Sequence, residues 1–411
     1  MLKKIKEKIW YFSIILVILV CLSPALSAAN DTPYKSSPLW SDILGNYSVL
    51  VAVSDDGSSV IAGSDGGILK MYDKTGKIIW TYTSVGTSFS SVSISGDGQI
   101  VTANSLVFDN EGNLLTNINN SDSVVRTAVS RNSEMIVSSG TNGLNIFDPK
   151  GNLLGKDVEP GAIWDVAISG DGMYGAAPVD LGWQTRKGKI VVIDRNGSRV
   201  VDYPTMNQGV GVAISRNGSS IVGIDDYNLY SIFENGTLRW SFASSPPFRD
   251  VTITPDGRYI VAGSQYYLRF FNETGSLLWQ NKEAGYVYSV AISENGDHII
   301  AGSSNKVLLF DKTGAVLWQY TASSDVMSVS SSRDGYYFAA GTKDKIYFFN
   351  RWGNATIIDN LISPGITSSS STSNTSSTNQ PMTKSAPVSS GLIIFAVSCI
   401  MIIGIKRRQK K

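Results

Sequence analysis

Cysteine and histidine are nearly absent from this chain, whose 411 residues include two cysteines and one histidine. Cys21 lies in the first apolar segment and Cys399 in the last, so the long middle of the chain has no cysteine. A disulfide framework, a thiolate nucleophile and a Cys-His metal site are therefore excluded there. His298 stands beside a turn signal and is expected to be a half-exposed structural residue. A lysine-activated nucleophile is not excluded, but no motif points to one.

Strong charge of either sign is also missing, since 35 Lys and Arg residues nearly balance 34 Asp and Glu residues, giving a formal net charge of +1. Clusters of basic residues occur at the two ends only, which leaves the middle mildly acidic. A body without basic patches argues against a nucleic acid partner.

What the chain has in abundance is a repeated pattern of short apolar runs. Residues 286–322 contain four such runs, rich in β-branched and aromatic side chains and separated by Asn295-Gly296 and Lys312-Thr313-Gly314. This pattern predicts a four-stranded antiparallel sheet. Because one such sheet cannot bury both of its faces, it must stack against copies of itself.

Eight copies of the pattern follow one another between residues 47 and 361. The first turn of each copy is marked at Asp56-Gly57, Asp97-Gly98, Asn132-Ser133, Asp171-Gly172, Asn217-Gly218, Asp256-Gly257, Asn295-Gly296 and Asp334-Gly335. The second turn is marked by Gly76, Gly112, Gly151, Gly197, Gly236, Gly275, Gly314 and Gly353. The last three intervals in the first series are 39 residues each. A period near forty with four strands per unit predicts an all-β, eight-bladed β-propeller of four-stranded antiparallel blades.

Two stretches, DKTGAVLW at Asp311–Trp318 and DKTGKIIW at Asp73–Trp80, resemble the quinoprotein-type (PQQ-like) propeller repeat. The first half of the copies, as in VAISENGDHIIAGS, resembles the WD-repeat-like pattern of prokaryotic surface proteins. The resemblance implies the propeller fold but no activity, because propellers have many unrelated functions. Quinone-dependent members hold Ca²⁺, and several have a vicinal disulfide that cannot form here. We therefore predict no cofactor and no metal.

The ring of blades needs a strand that closes it, and the repeat indicates which one. Tryptophan stands four residues after the second-turn glycine at Trp80, Trp240, Trp279 and Trp318, but copy eight has Ile357 there. Leu39-Trp40 matches the missing end of the pattern. We predict that residues 30–46 are a leader containing the closing strand, around Leu39–Leu44, which pairs with blade eight. Residues 355–361 then form a displaced outer strand or lead out of the propeller.

The two ends of the chain predict a surface protein with a single membrane anchor. Residues 1–29 have the lysines, apolar run and small residues of a signal peptide, although an uncleaved anchor is the alternative. Residues 362–390 form a Ser/Thr-rich stalk, residues 391–405 a transmembrane helix, and residues 406–411 a basic cytoplasmic tail. This end resembles the tails of archaeal surface proteins, so the propeller is expected outside the cell membrane.

Asn-x-Ser/Thr sequons predict glycosylation if the body is secreted, although Asn-Gly-Ser/Thr is also ordinary turn chemistry. The candidate sites are Asn46, Asn119, Asn196, Asn217, Asn235, Asn272, Asn354 and Asn374.

The candidate ligand site follows from propeller topology. Residues just before each first strand should encircle one mouth of the central channel, and in this chain they are not uniform. Blade four also has a long insertion, residues 173–189, which is expected to overhang the same mouth. The predicted ligand-binding residues are Arg126, Trp164, Asp165, Trp183, Arg186, Arg249, Asp250 and Tyr288. The alternative is that the aromatic residues pack between blades and the insertion has no function.

These observations favour a non-catalytic binding, adhesion or scaffold module that takes a surface protein or a glycan. An enzyme, such as a quinoprotein dehydrogenase, a lyase or a hydrolase, is disfavoured by the missing catalytic set. A structural component of a surface layer or of envelope assembly is the third alternative, because nearly uniform blades suit it equally well.

Overall fold

The computed structural model describes residues 34–45, 48–84, 86–118, 126–140, 143–159, 161–182 and 184–353. Every helix or strand assigned in these residues is a β-strand. The strands form eight sheets that follow one another along the chain, each with the antiparallel order of a meander. The predicted all-β propeller with eight four-stranded antiparallel blades is confirmed.

The strands of the first four blades follow two N-terminal strands. Those two are β1 (Tyr34–Lys35) and β2 (Trp40–Ile43). Blade one contains β3 (Val49–Val53), β4 (Ser59–Ser64), β5 (Ile68–Asp73) and β6 (Ile78–Thr83). Blade two contains β7 (Val92–Ile94), β8 (Ile100–Ala103), β9 (Leu106–Asp109) and β10 (Leu114–Asn117). Blade three contains β11 (Arg126–Val129), β12 (Ile136–Gly140), β13 (Gly143–Phe147) and β14 (Leu153–Val158). Blade four contains β15 (Ala162–Ile163), β16 (Ala167–Ile168), β17 (Tyr174–Asp180), β18 (Gly188–Asp194) and β19 (Arg199–Thr205).

The remaining four blades are more regular. Blade five contains β20 (Gly209–Ile214), β21 (Ser220–Asp225), β22 (Asn228–Phe233) and β23 (Leu238–Ala243). Blade six contains β24 (Phe248–Ile253), β25 (Tyr259–Ser264), β26 (Leu268–Asn272) and β27 (Leu277–Asn281). Blade seven contains β28 (Val287–Ile292), β29 (His298–Ser303), β30 (Lys306–Asp311) and β31 (Val316–Thr321). Blade eight contains β32 (Ser328–Ser331), β33 (Tyr337–Gly341) and β34 (Lys345–Asn350).

The hydrophobic core lies between neighbouring blades. Each cluster of buried apolar side chains combines residues of two successive blades, and the clusters cover all eight junctions, including the one between blades eight and one. Stacking around a ring therefore buries both faces of every sheet, as the repeat requires.

The first turn of each blade is fixed by its own side chains. In blade one, Asp56 Oδ1 accepts hydrogen bonds from Ser54 Oγ and from the Ser58 N–H, both at 2.9 Å. Ser54 Oγ in turn accepts the Ser59 N–H at 3.0 Å, and Gly57 adopts a φ of +70°. The same Ser/Thr-x-Asp/Asn arrangement occurs in the other seven blades. These turns lie at one end of the channel.

The second turn explains the spacing between glycine and tryptophan. The indole of Trp279 in blade six lies on Gly314 in blade seven, where an added Cβ would come within 2.8 Å of the ring. Trp279 Nε1 donates to the carbonyl of Lys312 in the same turn at 2.9 Å. Each tryptophan therefore packs on the next blade, and the turn needs a residue without a side chain. The other indole donors reach the carbonyls of Lys74, Asn110, Glu273 and Arg351.

Strand β2 closes the ring as the fourth strand of blade eight. It pairs antiparallel with β34, Trp40 opposite Phe348, so the predicted closing strand is confirmed. Trp40 packs on Gly76 of blade one, and Asp42 Oδ2 accepts from Lys70 Nζ and Tyr72 OH, each at 2.8 Å. Burial opposes ionisation of Asp42, but these hydrogen bonds outweigh it and lower its pKa.

Strand β1 was not predicted. It pairs parallel with β31, Tyr34 opposite Trp318, and so adds a fifth strand to blade seven. Trp318 is only 2% exposed. A two-residue strand with no apolar alternation gives no sequence signal.

Blades two, three and four lack the tryptophan, and the junction between blades three and four is built differently. A Cβ on Gly155 would lie 2.2 Å from the backbone nitrogen of Gly197, so the two blades approach closely. An ion-pair cluster covers this junction: Glu159, 1% exposed, contacts Lys189 Nζ at 2.9 Å and Arg199 Nη2 at 2.7 Å. Asp157 and Asp202 add further ion pairs to Lys189 and Arg199, so a charged cluster replaces the aromatic contact at this junction.

The predicted signal peptide, stalk, transmembrane helix and cytoplasmic tail lie outside the described residues. Within the described ranges, no helix is long and apolar enough to cross a membrane. The sequons at Asn46, Asn119, Asn354 and Asn374 are also outside. Asn196, Asn217 and Asn235 lie in turns, and Asn272 ends β26 just before a turn. The side chains of Asn217, Asn235 and Asn272 accept hydrogen bonds from the residues that follow them.

Candidate functional site

The first strands of the blades line a central channel with two mouths. We call the end that contains the first and second turns the turn face, and the end that contains the remaining connections the loop face. A cavity of about 410 Å³ opens at the loop face. Six of the eight predicted ligand-binding residues line it, namely Arg126, Trp164, Asp165, Arg249, Asp250 and Tyr288.

Local strand irregularities direct several of these side chains toward the mouth. Arg249 and Tyr288 are each the extra residue of a β-bulge at the start of the first strand of their blade. In blade four the first strand is interrupted, so Trp164 and Asp165 lie between β15 and β16. Bulges re-aim side chains at the rims of β-structures, which explains the unequal composition of this mouth.

Trp164 is the most prominent side chain of the loop-face mouth. It is 55% exposed, although large aromatic residues are usually covered in a monomer. Its carbonyl oxygen accepts a hydrogen bond from Arg126 Nε at 2.9 Å. Arg126 therefore links blades three and four beneath an indole that is open to solvent.

Across the mouth, an arginine and two tyrosines form a stack. The Arg249 guanidinium lies 5.5 Å from the ring centroid of Tyr286, and the rings of Tyr286 and Tyr288 are 4.6 Å apart. Cation–π contact of this kind orders an arginine without neutralising it. Tyr286 was missed by the sequence analysis; its position two residues before Tyr288 is the signal that could have found it.

The two aspartates of the mouth have a structural contact that the sequence did not predict. Asp165 Oδ2 accepts the N–H of Val212 in blade five at 3.1 Å, and Asp250 Oδ2 accepts the N–H of Val290 in blade seven at 2.7 Å. Serines perform the same link between other neighbouring blades, at Ser91, Ser289 and Ser328. Each aspartate therefore helps to join two blades.

Unlike the serines that make the same link, Asp165 and Asp250 carry a titratable carboxyl group and can add negative charge to the mouth. Burial among channel residues raises the pKa of both carboxyl groups, and the charge of Asp165 raises that of Asp250 further, to about 7. Both aspartates are partly exposed to the channel, although protein surrounds most of each side chain. The charge of the mouth thus changes within the neutral pH range.

The insertion in blade four lies on the loop face but not on the channel cavity. Residues 174–180 and 188–189 belong to β17 and β18, and the long connection itself is residues 181–187. Arg186 lines a separate cavity of about 320 Å³ between blades four and five, with Asn207, Gln208, Asp226 and Tyr227. Trp183 lies outside the described residues.

The loop-face mouth offers groups for binding and charge pairing. In the part of the chain that the structure describes, no group of His, Cys, Asp and Glu is placed to hold a metal ion. His298 begins a strand in blade seven and lines neither channel cavity, and burial, with the charge of Arg351, lowers its pKa. Two arginines, two aspartates, the exposed indole of Trp164 and two half-buried tyrosine rings can recognise a ligand by stacking and ion pairing.

A protein-family model described as outer membrane protein assembly factor BamB (PQQ_2) matches residues 181–390, half of the chain. The chain belongs to this family. The resemblance of Asp311–Trp318 to the PQQ-like propeller repeat is therefore confirmed at the level of the family. The match includes blades five to eight, and the tryptophan spacing occurs in the first three of these, at Trp240, Trp279 and Trp318.

Solved structures give the same fold at low sequence identity. One of many is Sqt1 from Chaetomium thermophilum, in a structure with the N-terminus of the ribosomal protein L10. It has 14% identity and a TM-score of 0.65, and the alignment covers 77% of this chain and 100% of that chain. At this identity the likeness shows the fold alone. No curated protein matches the chain.

Proposed function

We propose that the loop-face mouth binds a segment of a partner protein and that the propeller is a non-catalytic binding or scaffold module. The observation that carries this proposal is the exposed indole of Trp164, opposite the Arg249–Tyr286–Tyr288 stack around one cavity. Exposed Trp, Tyr and Arg around a concave centre are the composition of interaction hot spots. The family is named for an assembly factor, and the Sqt1 propeller was solved with a protein segment bound, which supports a protein partner.

The chemistry of the mouth suggests what that segment contains. An aromatic or aliphatic side chain can stack on Trp164, and a carboxylate can pair with Arg249, whose guanidinium lies 5.5 Å from the Tyr286 ring centroid. A cavity of about 410 Å³ has room for the side chains of a short peptide but not for a folded domain. A glycan is the alternative ligand, since sugars also stack on exposed aromatic rings.

A display library of short random peptides tests this site directly. Peptides selected on the intact propeller should lose at least about tenfold in affinity with Trp164→Ala or Arg249→Ala, the loss of one hot-spot contact. Trp352→Ala is the matched control, because Trp352 is also 55% exposed but lies in a second turn on the other face. Equal losses in Trp164→Ala and Trp352→Ala, or selection of no peptide, would contradict the proposal, and a glycan-array signal lost only in Trp164→Ala would favour the glycan.

We further propose that the propeller is displayed outside the cell on the C-terminal segment. The support is the sequence pattern of residues 1–29, 362–390 and 391–411. The full chain should remain with membranes in high salt and be released by detergent. Release by salt alone would contradict the anchor without affecting the binding proposal.

A further inference from the structure

The opposite mouth of the channel, at the turn face, has a second ring of charged residues. The ring consists of the residue that precedes the Asp or Asn of each first turn. In blade order it contains Asp55, Gly96, Arg131, Gly170, Arg216, Pro255, Glu294 and Arg333. Arg131, Arg216, Arg333 and Glu294 line a cavity of about 420 Å³. This turn-face ring has no part in the site described above.

The backbone of the turn-face ring is held rigidly by hydrogen bonds between neighbouring blades. The Asp55 N–H donates to the Gly96 carbonyl at 2.9 Å, and the Gly96 N–H donates to the Arg131 carbonyl at 3.0 Å. The Glu294 N–H donates to the Arg333 carbonyl at 2.8 Å, and the Arg333 N–H to the Asp55 carbonyl at the same distance. The side chains therefore project from a fixed frame, which is a condition for preorganised binding.

The small residues of the ring make room for the arginines. A Cβ on Gly96 would lie 2.7 Å from Asp55 Oδ2, at the place where Asp55 and Arg131 form an ion pair across blade two. A Cβ on Gly170 would lie 2.9 Å from Arg216 Cγ. Larger side chains at either glycine would displace these partners from the mouth.

The acidic residues of the ring accept hydrogen bonds from only some of the N–H donors of the three arginines. Glu294 binds both Arg216, at 2.8 Å, and Arg333, while Asp55 pairs with Arg131. Three cations thus face two anions within the ring. Each guanidinium has five N–H donors, and only some of them have acceptors among the described residues. Burial and the charges of Arg216 and Arg333 lower the pKa of Arg131, so the three groups act on one another within the mouth.

We propose that the turn-face ring is a binding site for a small oxyanion, a carboxylate or a phosphate, held by Arg131, Arg216 and Arg333. Guanidinium groups are the preferred partners of planar and tetrahedral oxyanions, because their N–H donors match the oxygen spacing. The carboxylates of Asp165 and Asp250 line the inner end of the same cavity, so the anion should sit at the outer end. Glu294 occupies part of the guanidinium surface and limits the affinity.

Isothermal titration of the intact propeller with inorganic phosphate and with citrate tests the site, and the two probes distinguish phosphate from carboxylate recognition. Saturable binding is expected for at least one probe, with at least a tenfold loss of affinity in Arg131→Gln. Arg258→Gln is the matched control and should stay within twofold of the unchanged protein, because Arg258 is 69% exposed, pairs with Asp256 in its own turn and does not line this cavity.

Glu294→Gln gives a test that a purely structural ring would not pass. Removing this carboxylate while keeping its shape frees guanidinium donors, so the affinity for the anion should rise at least fivefold. This result would support the site even if Arg131→Gln failed to fold. Absence of saturable binding to the unchanged protein, or equal losses in Arg131→Gln and Arg258→Gln, would overturn the proposal, as would an affinity unchanged by Glu294→Gln.

Discussion

At the scale of single residues, glycine and tryptophan act together across blade boundaries. Gly314 must be small because the indole of Trp279 occupies the place of its Cβ, and it must adopt a φ of +88° to form the turn. The first requirement comes from packing and the second from backbone conformation. In the sequence both requirements appear as the same recurring glycine position, so substitutions are needed to measure the packing and the backbone contribution separately.

Gly314→Ala should destabilise the protein more than Gly285→Ala does. Both glycines have positive φ, and both donate their N–H to a carbonyl three residues earlier at 3.0 Å. Only Gly314 faces a side chain, since nothing lies within 4 Å of a Cβ on Gly285. Each alanine should cost about 1 kcal/mol for the backbone, and Gly314→Ala a further ~1–3 kcal/mol for displacing the indole. Urea unfolding midpoints measure the difference; equal midpoints would contradict the packing argument.

Asp250 shows a conflict between a structural contact and a charge. Its folded pKa of about 7 lies above the ordinary aspartate value, so the folded state holds a proton that the unfolded state has lost. Such a group lowers stability progressively as pH rises from about 4 toward 7. The hydrogen bond to Val290 keeps the aspartate in place despite this cost.

Asp250→Asn should therefore remove part of the pH dependence. The stability advantage of the variant should be smaller near pH 5, where only part of this cost is present, than at about pH 8, where all of it is. Thermal unfolding at both pH values measures this. Asp42→Asn is a useful contrast, because the pKa of Asp42 is lowered and its loss should destabilise the protein at both pH values. A Tm difference for Asp250→Asn that does not change with pH would refute the shift.

At the scale of elements, β2 decides whether the eight blades form a closed ring. It belongs to blade eight by backbone pairing and to the interface with blade one through Trp40 and Asp42. The sequence could predict this strand because Leu39-Trp40 repeats the end of the blade pattern. It could not predict β1 or the interruption between β15 and β16, since both depend on contacts with other blades rather than on local alternation.

Trp40→Ala should open this junction at a cost of about 3 kcal/mol, the usual range for removing a large packed aromatic side chain. Trp40→Phe should cost about 1 kcal/mol, because it loses mainly the hydrogen bond from Nε1 to the Lys74 carbonyl. Ile43→Ala in the same strand is the control; Ile43 is 62% exposed and should change stability by less than about 0.5 kcal/mol. Denaturant titrations compare the three, and similar values for Trp40→Ala and Ile43→Ala would exclude Trp40 as the closing contact.

At the scale of the whole molecule, repetition determines the fold, and departures from repetition determine the two candidate sites. Six residues of the loop-face mouth were predictable because topology alone brings the starts of first strands together. The turn-face ring was not predicted, although Arg131, Arg216 and Arg333 occupy one position of the repeat. The ion pairs Asp55–Arg131 and Arg216–Glu294 each reach across an intervening blade, and Arg333–Glu294 joins neighbouring blades. No sequence spacing reveals such contacts.

The stability of the whole propeller should pass through a maximum between about pH 4 and 6. In Asp56, Asp97 and Asp148, burial opposes ionisation, but hydrogen bonds from turn residues outweigh it and lower the pKa. Their contribution is present above the ordinary aspartate pKa and is lost as pH falls through the folded values. Asp165 and Asp250 act in the opposite direction at higher pH. Melting temperatures across this range measure the curve, and a steady rise of stability to pH 8 would contradict it.

The way in which the ring is closed also determines where the protein can be attached to a surface or label. Ser36, at the beginning of the closing segment, lies against Gly353, the last described residue, where a Cβ would be 3.0 Å from Ser36 Oγ. Both positions belong to the side of the second turns. A surface, bead or fluorophore attached beyond either position is therefore joined beside the same seam, and the mouth that contains Trp164 stays free for a ligand in solution.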